Sequence, residues 1–476
     1  MMAQSIRLAV VFLLFFVNPR AWAQDSLAHH AVEVSLYGTP SSSLAITDHA
    51  SRTLLVYTYP NAFSLLEYDG QFNLTGQQTI YKEVSGFDKS QGYALEPGGT
   101  LHLYFSKASQ EEFLVVSLAP DGSVTRTTVA LPMEKEKPID AISHNGRFHL
   151  LTYTQKSSIV NRYTFSGTGV EKVVYDLGEA GYCEKWNGEC DLRDVFKKGN
   201  ILFVEPDLPT PLGEAVKTLK IYPQGNRLKI TTDHRLGTTV LFDLSLDTNQ
   251  YAIRYYGFDY HEFPLNGNKK SNSFLYGNHL YQILVSRKQA KILVKDLADN
   301  RTVKTLTFNQ KDPIAFLNSE IYQDNGSFSS ASERLSSEKQ FLATLMDGRV
   351  GITAEPYYGK TKMVFGGTRT RSTPMYPGIP LGSFQFGSLN IGLSFFISAS
   401  NSEATYARAL LNPENLEQAQ GFAGINIFET LAVYKQEEAQ LKGIDHENVF
   451  LFGDRMIYGY NRTKEKTFTL MGFSMR

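Results

Sequence analysis

Cysteine is nearly absent from this chain of 476 residues; the two that occur, Cys183 and Cys190, both lie inside 181-GYCEKWNGECDL-192. That excludes a disulfide-rich scaffold. It also leaves a zinc centre two ligands short, and the spacing is longer than that of a C-x-x-C redox pair. Neither sign of charge is in excess, with 47 Lys and Arg against 48 Asp and Glu. A near-neutral chain carries no electrostatic footprint for nucleic acid, which requires clustered cations against the phosphates. Long apolar runs are missing as well. Leu8–Val17, preceded by Arg7 and followed by Ala21-Trp22-Ala23, is the strongest run, and it falls short of the ~20 residues that span a bilayer. Its basic start, apolar middle and small-x-small end read as a signal peptide over residues 1–23, cleaved after Ala23. Loss of Arg7 and Arg20 leaves 45 basic residues (47 minus 2) against 48 acidic ones, a balance of −3. In an exported protein, the two close cysteines read as a disulfide across a loop, stabilising by roughly 2–3 kcal/mol on the chain-entropy estimate. No stable membrane insertion is expected of the rest of the chain.

Short catalytic signatures are lacking too. His261-Glu262 and His446-Glu447 each supply only the first half of an H-E-x-x-H zinc motif. There is no nucleophile elbow, P-loop, dinucleotide fingerprint or calcium loop. Asp445 with Asp454, and Asp259 with Glu262, are close in sequence, but among 48 acids such spacings arise by chance. No metal or cofactor is therefore expected.

What the chain does contain is a repeat. The units 53-TLLVYTYPNAFSLLEYDGQFNLTGQQTIY-81, 100-TLHLYFSKASQEEFLVVSLAPDGSVTRTTVAL-131 and 147-RFHLLTYTQKSSIVNRYTFSGTGVEKVVYDL-177 place Leu55, His102 and His149 forty-seven residues apart each time. Each unit has apolar alternation of period two, and turn signals such as Asp69-Gly70, Asp121-Gly122 and Ser166-Gly167 separate its strands. Weaker copies follow at 227–256, 279–308 and 448–473. Between 339 and 443 the pattern blurs: 340–354 and 388–400 look like strands, whereas 403–411 and 429–441 are open to either helix or strand.

A period of this size implies small antiparallel sheets arranged radially. The units resemble secreted β-propeller proteins in general, without the kelch, Trp-Asp or Asp-box signatures that would mark a named family. The expected fold is all-β, a single propeller over residues 24–476. Seven blades is the best count, with six and eight as alternatives. Loop insertions are expected near 178–223, 309–338 and 356–380. Ring closure requires strands from the two ends to share a sheet, and 32-VEVSLY-37 with 466-KTFTLMGF-473 are the segments expected to do it.

Two sets of side chains invite a functional reading. His102, His149 and His279 recur at similar places in their units and would suit a ring of metal ligands. Equally, they would suit half-polar strand positions bonded to the neighbouring strand, and that reading is preferred because no carboxylate repeats beside them. The segment 356-PYYGKTKMVFGGTRTRSTPMYPGIP-380 gathers Tyr357, Tyr358, Lys360, Arg369, Arg371 and Tyr376 on a Gly- and Pro-rich background. Exposed Tyr and Arg offer contact area and directional donors at small entropic cost, so these six residues are the candidate contacts for a protein or glycan. The expected function is an exported, non-enzymatic binding or scaffold protein, with the Cys183–Cys190 loop as a second contact element. The alternative is a polysaccharide-active enzyme with carboxylates converging on the central channel. The sequons at Asn73, Asn300, Asn325 and Asn461 matter only in a glycosylating host.

Overall fold

A computed structural model describes residues 24–31, 40, 42–48, 51–179, 181–182, 191–196, 200–258, 263, 267–324, 333–370, 384–386, 389–391, 402–437, 443–462 and 464–475. The expected signal peptide, the segment 32–37, the cysteine loop, Arg371 and Tyr376 lie outside these residues.

Seven antiparallel sheets follow one another along the chain. Blade 1 comprises β2 (Ser42–Asp48), β3 (Arg52–Thr58), β4 (Ala62–Asp69) and β5 (Leu74–Tyr81). Blade 2 holds β6 (Lys89–Leu95), β7 (Leu101–Ser106), β8 (Glu112–Leu118) and β9 (Val124–Ala130), and blade 3 holds β10 (Glu136–His144), β11 (Arg147–Thr154), β12 (Ile159–Ser166) and β13 (Gly169–Asp176). Blade 4 adds a short parallel strand, β14 (Ile201–Phe203), to β15 (Leu219–Gln224), β16 (Arg227–Arg235), β17 (Thr238–Ser245) and β18 (Tyr251–Gly257). Blade 5 is β19 (Lys269–Tyr276), β20 (His279–Ser286), β21 (Gln289–Asp296) and β22 (Thr302–Asn309).

Blade 6 is irregular. Its sheet order is β24 (Glu333–Arg334), β23 (Tyr322–Asp324), β29 (Ser402–Leu411), β26 (Lys360–Thr370) and β25 (Arg349–Tyr357). A ribbon of β27 (Phe384–Phe386) and β28 (Leu389–Ile391) lies within the connection from β26 to β29. Blade 7 is β30 (Ile444–Phe452), β31 (Arg455–Arg462) and β32 (Thr467–Ser474), completed by β1 (Gln24–Ala31) from the other end of the chain. The first strands of successive sheets lie side by side, β30 by β2, β2 by β6, β6 by β10 and β19 by β25, so the sheets radiate from a common axis.

The chain is a seven-bladed β-propeller closed by its terminal strands. The closing strand is Gln24–Ala31, paired with β32 from Gln24↔Phe473 to Ala31↔Thr467, and not the expected 32–37. The sequence 24-QDSLAHHA-31 lacks β-branched residues and alternation, so it carries no strand signal of its own; the open edge of β32 imposes the pairing.

Two further expectations need correction. The 340–354 stretch is a helix followed by a strand. A helix, α2, runs from Glu338 to Asp347, capped by the Ser337 hydroxyl accepting from the Gln340 amide, and it buries Phe341, Leu342, Leu345 and Met346. The expected loop at 356–380 begins as a regular hairpin, with β25 and β26 paired from Arg349↔Thr368 to Tyr357↔Lys360. Gly366 and Gly367 mimic a loop signal there. A Cβ on Gly366 would lie 2.1 Å from the Thr405 carbonyl oxygen and one on Gly367 3.0 Å from that of Arg349, so close packing is what demands glycine. Of the two ambiguous stretches, 403–411 falls in β29, whereas Ile427–Glu437 is a helix.

Middle strands are buried on both faces because neighbouring blades cover them, as in β3 and β11. Aromatic rings interdigitate across these interfaces, with Tyr104 of blade 2 stacked on Phe148 of blade 3 at 4.4 Å and 12°. Outer strands such as β9, VTRTTVA, keep one face in water.

Candidate functional site

The connection from blade 3 to blade 4 does not stay on a rim. After β14 runs parallel to β15 on the axial edge of blade 4, the chain turns at Pro206, Pro209 and Pro211 into a single helical turn, α1 (Leu212–Ala215), with all four residues buried. This turn rests on blade 6, two blades away. A Cβ on Gly351 of β25 would strike Val216 at 2.8 Å and Leu212 at 3.1 Å. Blade 5 holds the same segment through Asn272, whose side-chain amide donates to the Val216 carbonyl at 3.3 Å. One contiguous apolar cluster joins Leu151 and Ile230 of blades 3 and 4, Leu208 of this segment, Phe428 and Leu431 of the helix Ile427–Glu437 (α3), and Val449 and Tyr458 of blade 7. Blade 7 is not a ring neighbour of blades 3 and 4. Residues 201–217 therefore form an axial plug.

Polar groups around the plug are buried and individually compensated. Lys220 and Asp233, both buried, stand 3.8 Å apart. Asp233 also accepts from Thr239 at 2.7 Å and from the Ser273 amide and hydroxyl at 2.9 and 3.0 Å. Two other carboxyls are poised near neutrality. Burial pushes Asp140 up to about 7 against the opposing Ala141 amide and Lys217, while burial and then the charge of Asp207 push Glu205 up to about 7. Burial, then the nearby Glu205, raises Tyr93 to about 12. Perturbed carboxyls in a cleft are the usual pointer to acid–base chemistry. Among the described residues the hollows here are small: the one beside Glu205, lined by Phe203, Leu208 and Pro209, holds about 20 Å³, and the one beside Arg408 and Glu429 about 10 Å³. Each has room for about one water molecule.

The residues singled out from sequence separate along the blade 6 hairpin. Tyr357, Tyr358 and Lys360 sit at the tip joining β25 to β26. Arg369 sits nine residues further along β26, roughly 30 Å away at 3.3 Å per residue. There it pairs with Glu403 at 2.9 Å and faces Asp347 at 3.9 Å.

At the tip a local cluster forms with the loop 418–424. Lys360 donates to the Gln420 carbonyl at 2.5 Å, the Gly424 amide donates to the Tyr357 hydroxyl at 3.0 Å, and buried Lys362, paired with Glu355 at 2.6 Å, lies 4.5 Å from the Tyr357 ring. Tyr358 stands 76% exposed and Phe422, on the adjoining loop, 65% exposed. Phe422 escaped the sequence reading; its signal was an aromatic between two glycines in 420-QGFAGI-425.

Two of the three histidines, His102 and His149, are hydrogen-bonded strand positions. His102 Nδ1 lies 2.7 Å from the Ser117 hydroxyl and His149 Nδ1 3.1 Å from the Thr164 hydroxyl, each reaching the next strand of its own blade, while His102 Nε2 stands 2.9 Å from the Glu96 carboxylate. Among the described residues no group of three or more His, Cys, Asp or Glu is placed to hold a metal ion. Asp445 lies at the start of β30 and Asp454 in the turn after its far end, and 259–262, just before the described Phe263, lies outside the described residues. Asn461 is buried at 1% exposure and closed to glycosylation in the fold, whereas Asn73 and Asn300 are exposed. No helix among the described residues is long and apolar enough to cross a membrane.

No family model matches the chain, and no curated protein matches it. Solved structures do. The WD40 domain of SCAP from fission yeast is 8% identical over 95% of this chain and 98% of that one, with a TM-score of 0.35. The Nup133 β-propeller domain of Vanderwaltozyma polyspora is 10% identical over 77% and 83%, at 0.28. An ACO/RPE65 chimera is 11% identical, with 58% of this chain covering 62% of that chain, under two thirds of its length, at 0.29. With scores this low, the propeller is read from its own sheets.

Proposed function

We propose that this chain is an exported, non-catalytic binding propeller that holds a protein or glycan partner at the blade 6 rim, through Tyr358 and Phe422 with Lys360 beside them. The observation that carries the reading is the backbone of Tyr358. The tip Tyr357-Tyr358-Gly359-Lys360 has φ of +45° at Tyr358 and +71° at Gly359, the positive pair of a type I′ turn in which Asn-Gly is the favoured sequence. A tyrosine there costs about 1 kcal/mol relative to a residue at ease in the left-handed region, and its ring is not buried in return. Strain of this kind, stored under an exposed aromatic, supports a contact role. The leader-like residues 1–23 support export. The axial plug supports a role without catalysis, because a hydrolase acting through Asp140 and Glu205 would need an open funnel wide enough for a sugar ring.

The test is Tyr358→Asn, alone and with Phe422→Ala. The single variant should be more stable than the parent by about 1 kcal/mol, read from its denaturation midpoint. It should also bind more weakly, by about tenfold or more, to whatever partner a glycan array or site-specific photo-crosslinking from position 358 identifies. Unchanged affinity in the double variant would remove the site assignment and leave the scaffold standing.

A further inference from the structure

One ladder, β1 on β32, closes the ring beside the apolar packing of blade 7 on blade 1, and the side-chain ties of that strand include two imidazoles. His29 Nδ1 lies 3.0 Å from the Thr469 hydroxyl, and His30 Nε2 lies 3.0 Å from the hydroxyl of Tyr68 in blade 1. The His30 ring sits between Tyr68 and Phe468, at centroid distances of 5.5 and 6.2 Å. Just across the same seam His446, itself buried, meets Tyr59 at 2.8 Å. Three of the ten histidines thus gather where the two ends of the chain meet.

We infer that β1 is an acid-released clasp: protonation of His30 detaches Gln24–Ala31 from blade 7 and opens the ring at this seam while the other blades stay folded. The groups facing His30 explain the direction. On β1 its neighbour is His29, a second imidazole; on β4 it meets the Tyr68 hydroxyl; on β32 it meets the Phe468 ring. Neither charged pair of the seam faces His30: Asp25, five residues away on β1, ties the start of the strand to Arg455 of β31 at 3.1 Å, and Glu447 is engaged by Lys435 of α3 and the Tyr458 hydroxyl.

Burial first, and His29 second, lower the His30 pKa from 6.5. The closed state therefore binds fewer protons than the released strand, and closure weakens as pH falls through 6.5. At pH 5, 1.5 units below that value, linkage to one proton bounds the loss of the closure constant at about 30-fold. Release is local because β1 is an edge element with a single partner strand. A protein outside the cytoplasm meets such pH changes directly, and the freed Thr467–Ser474 edge would then be open to another strand. This inference is independent of the partner site at Tyr358.

Hydrogen exchange on the full chain, corrected for intrinsic rates, tests it at pH 7.5 and 5.0. Amides of residues 24–31 should lose protection at pH 5.0, by up to about 30-fold, while blades 2–5 keep theirs. His30→Phe, which preserves the ring packing, and His30→Gln, which preserves a polar partner for Tyr68, should abolish the difference. Equal protection of 24–31 at both pH values, an equal loss across all blades, or persistence of the loss in both variants would each overturn the clasp.

Discussion

Replacing Lys82 with methionine should lower stability by about 3 kcal/mol, read as a shift of the urea midpoint at constant slope. Lys82 is fully buried, and its ammonium donates to the carbonyls of Tyr59 at 2.7 Å, Pro60 at 3.3 Å and Phe87 at 2.7 Å, 4.8 Å from the Phe105 ring. It ties the β3–β4 turn of blade 1 to the connection that enters blade 2. Burial draws its pKa down to about 8, with Asp88 acting in the opposite direction, so the group still carries its charge at neutral pH. The repeat gives the prediction its edge. The Lys82 amide bonds Asn61 just as the Leu131 amide bonds Glu111 and the Leu177 amide bonds Ser158, so blades 2 and 3 place buried leucines at this position. An apolar side chain is therefore compatible with the site's shape, and the expected loss comes from carbonyls left without a donor. A midpoint unchanged by Lys82→Met would mean that water reaches those carbonyls and that the ammonium is dispensable.

The same repeat explains what could be read in advance. Strands β3, β7 and β11 carry dense apolar and aromatic runs because neighbouring blades cover both faces, and their spacing gave the period. Each is the second strand of its blade. The first strands escaped: β6 is KSQGYAL and β10 is EKPIDAISH, each interrupted by a bulge, at Ser90/Gly92 and Pro138/Asp140. These strands meet the axis rather than a flat neighbour. Polar bonds such as the Tyr93 amide to the Ser143 hydroxyl at 2.7 Å replace part of the apolar packing, and local alternation is lost with it.

Site residues were less legible for a related reason. A contact surface is set by which segments converge, and convergence of the 357–360 tip with the 418–424 loop is a tertiary event with no sequence period. Proximity in sequence misled in the other direction, since it grouped Arg369 with Tyr358 although a nine-residue strand separates them. The plug was hidden in the same way. The 201–217 segment reads as a proline-rich insertion, and only the identity of its neighbours, blades 5, 6 and 7 rather than solvent, makes it the core of the ring.

Acid should weaken the whole propeller through His149, and exchanging that residue for leucine should remove the effect. His149 is 2% exposed on β11, with buried Arg162 on the adjoining strand. Burial first, then the charge of Arg162 and lesser contributions from His144 and Arg147, push its pKa down to about 3. The folded chain thus keeps this imidazole neutral through a range in which the unfolded chain takes up a proton. Between pH 6.5 and about 3 the unfolded state binds more protons, so stability is complete above 6.5 and falls on acidification by about 1.4 kcal/mol per pH unit, or about 2.7 kcal/mol at pH 4.5. Leucine is the informative replacement because Leu55, fully buried, occupies the corresponding place in blade 1. Urea unfolding of His149→Leu should resemble the parent at pH 7.5 to within about 1 kcal/mol and exceed it at pH 4.5. This loss differs in kind from the clasp at His30. His149 lies in mid-blade between two ladders, so its protonation requires cooperative opening and is read in the global midpoint, whereas release of β1 is confined to the edge. Parallel acid slopes for parent and His149→Leu would show that Arg162 and the burial of blade 3 do not hold the imidazole neutral.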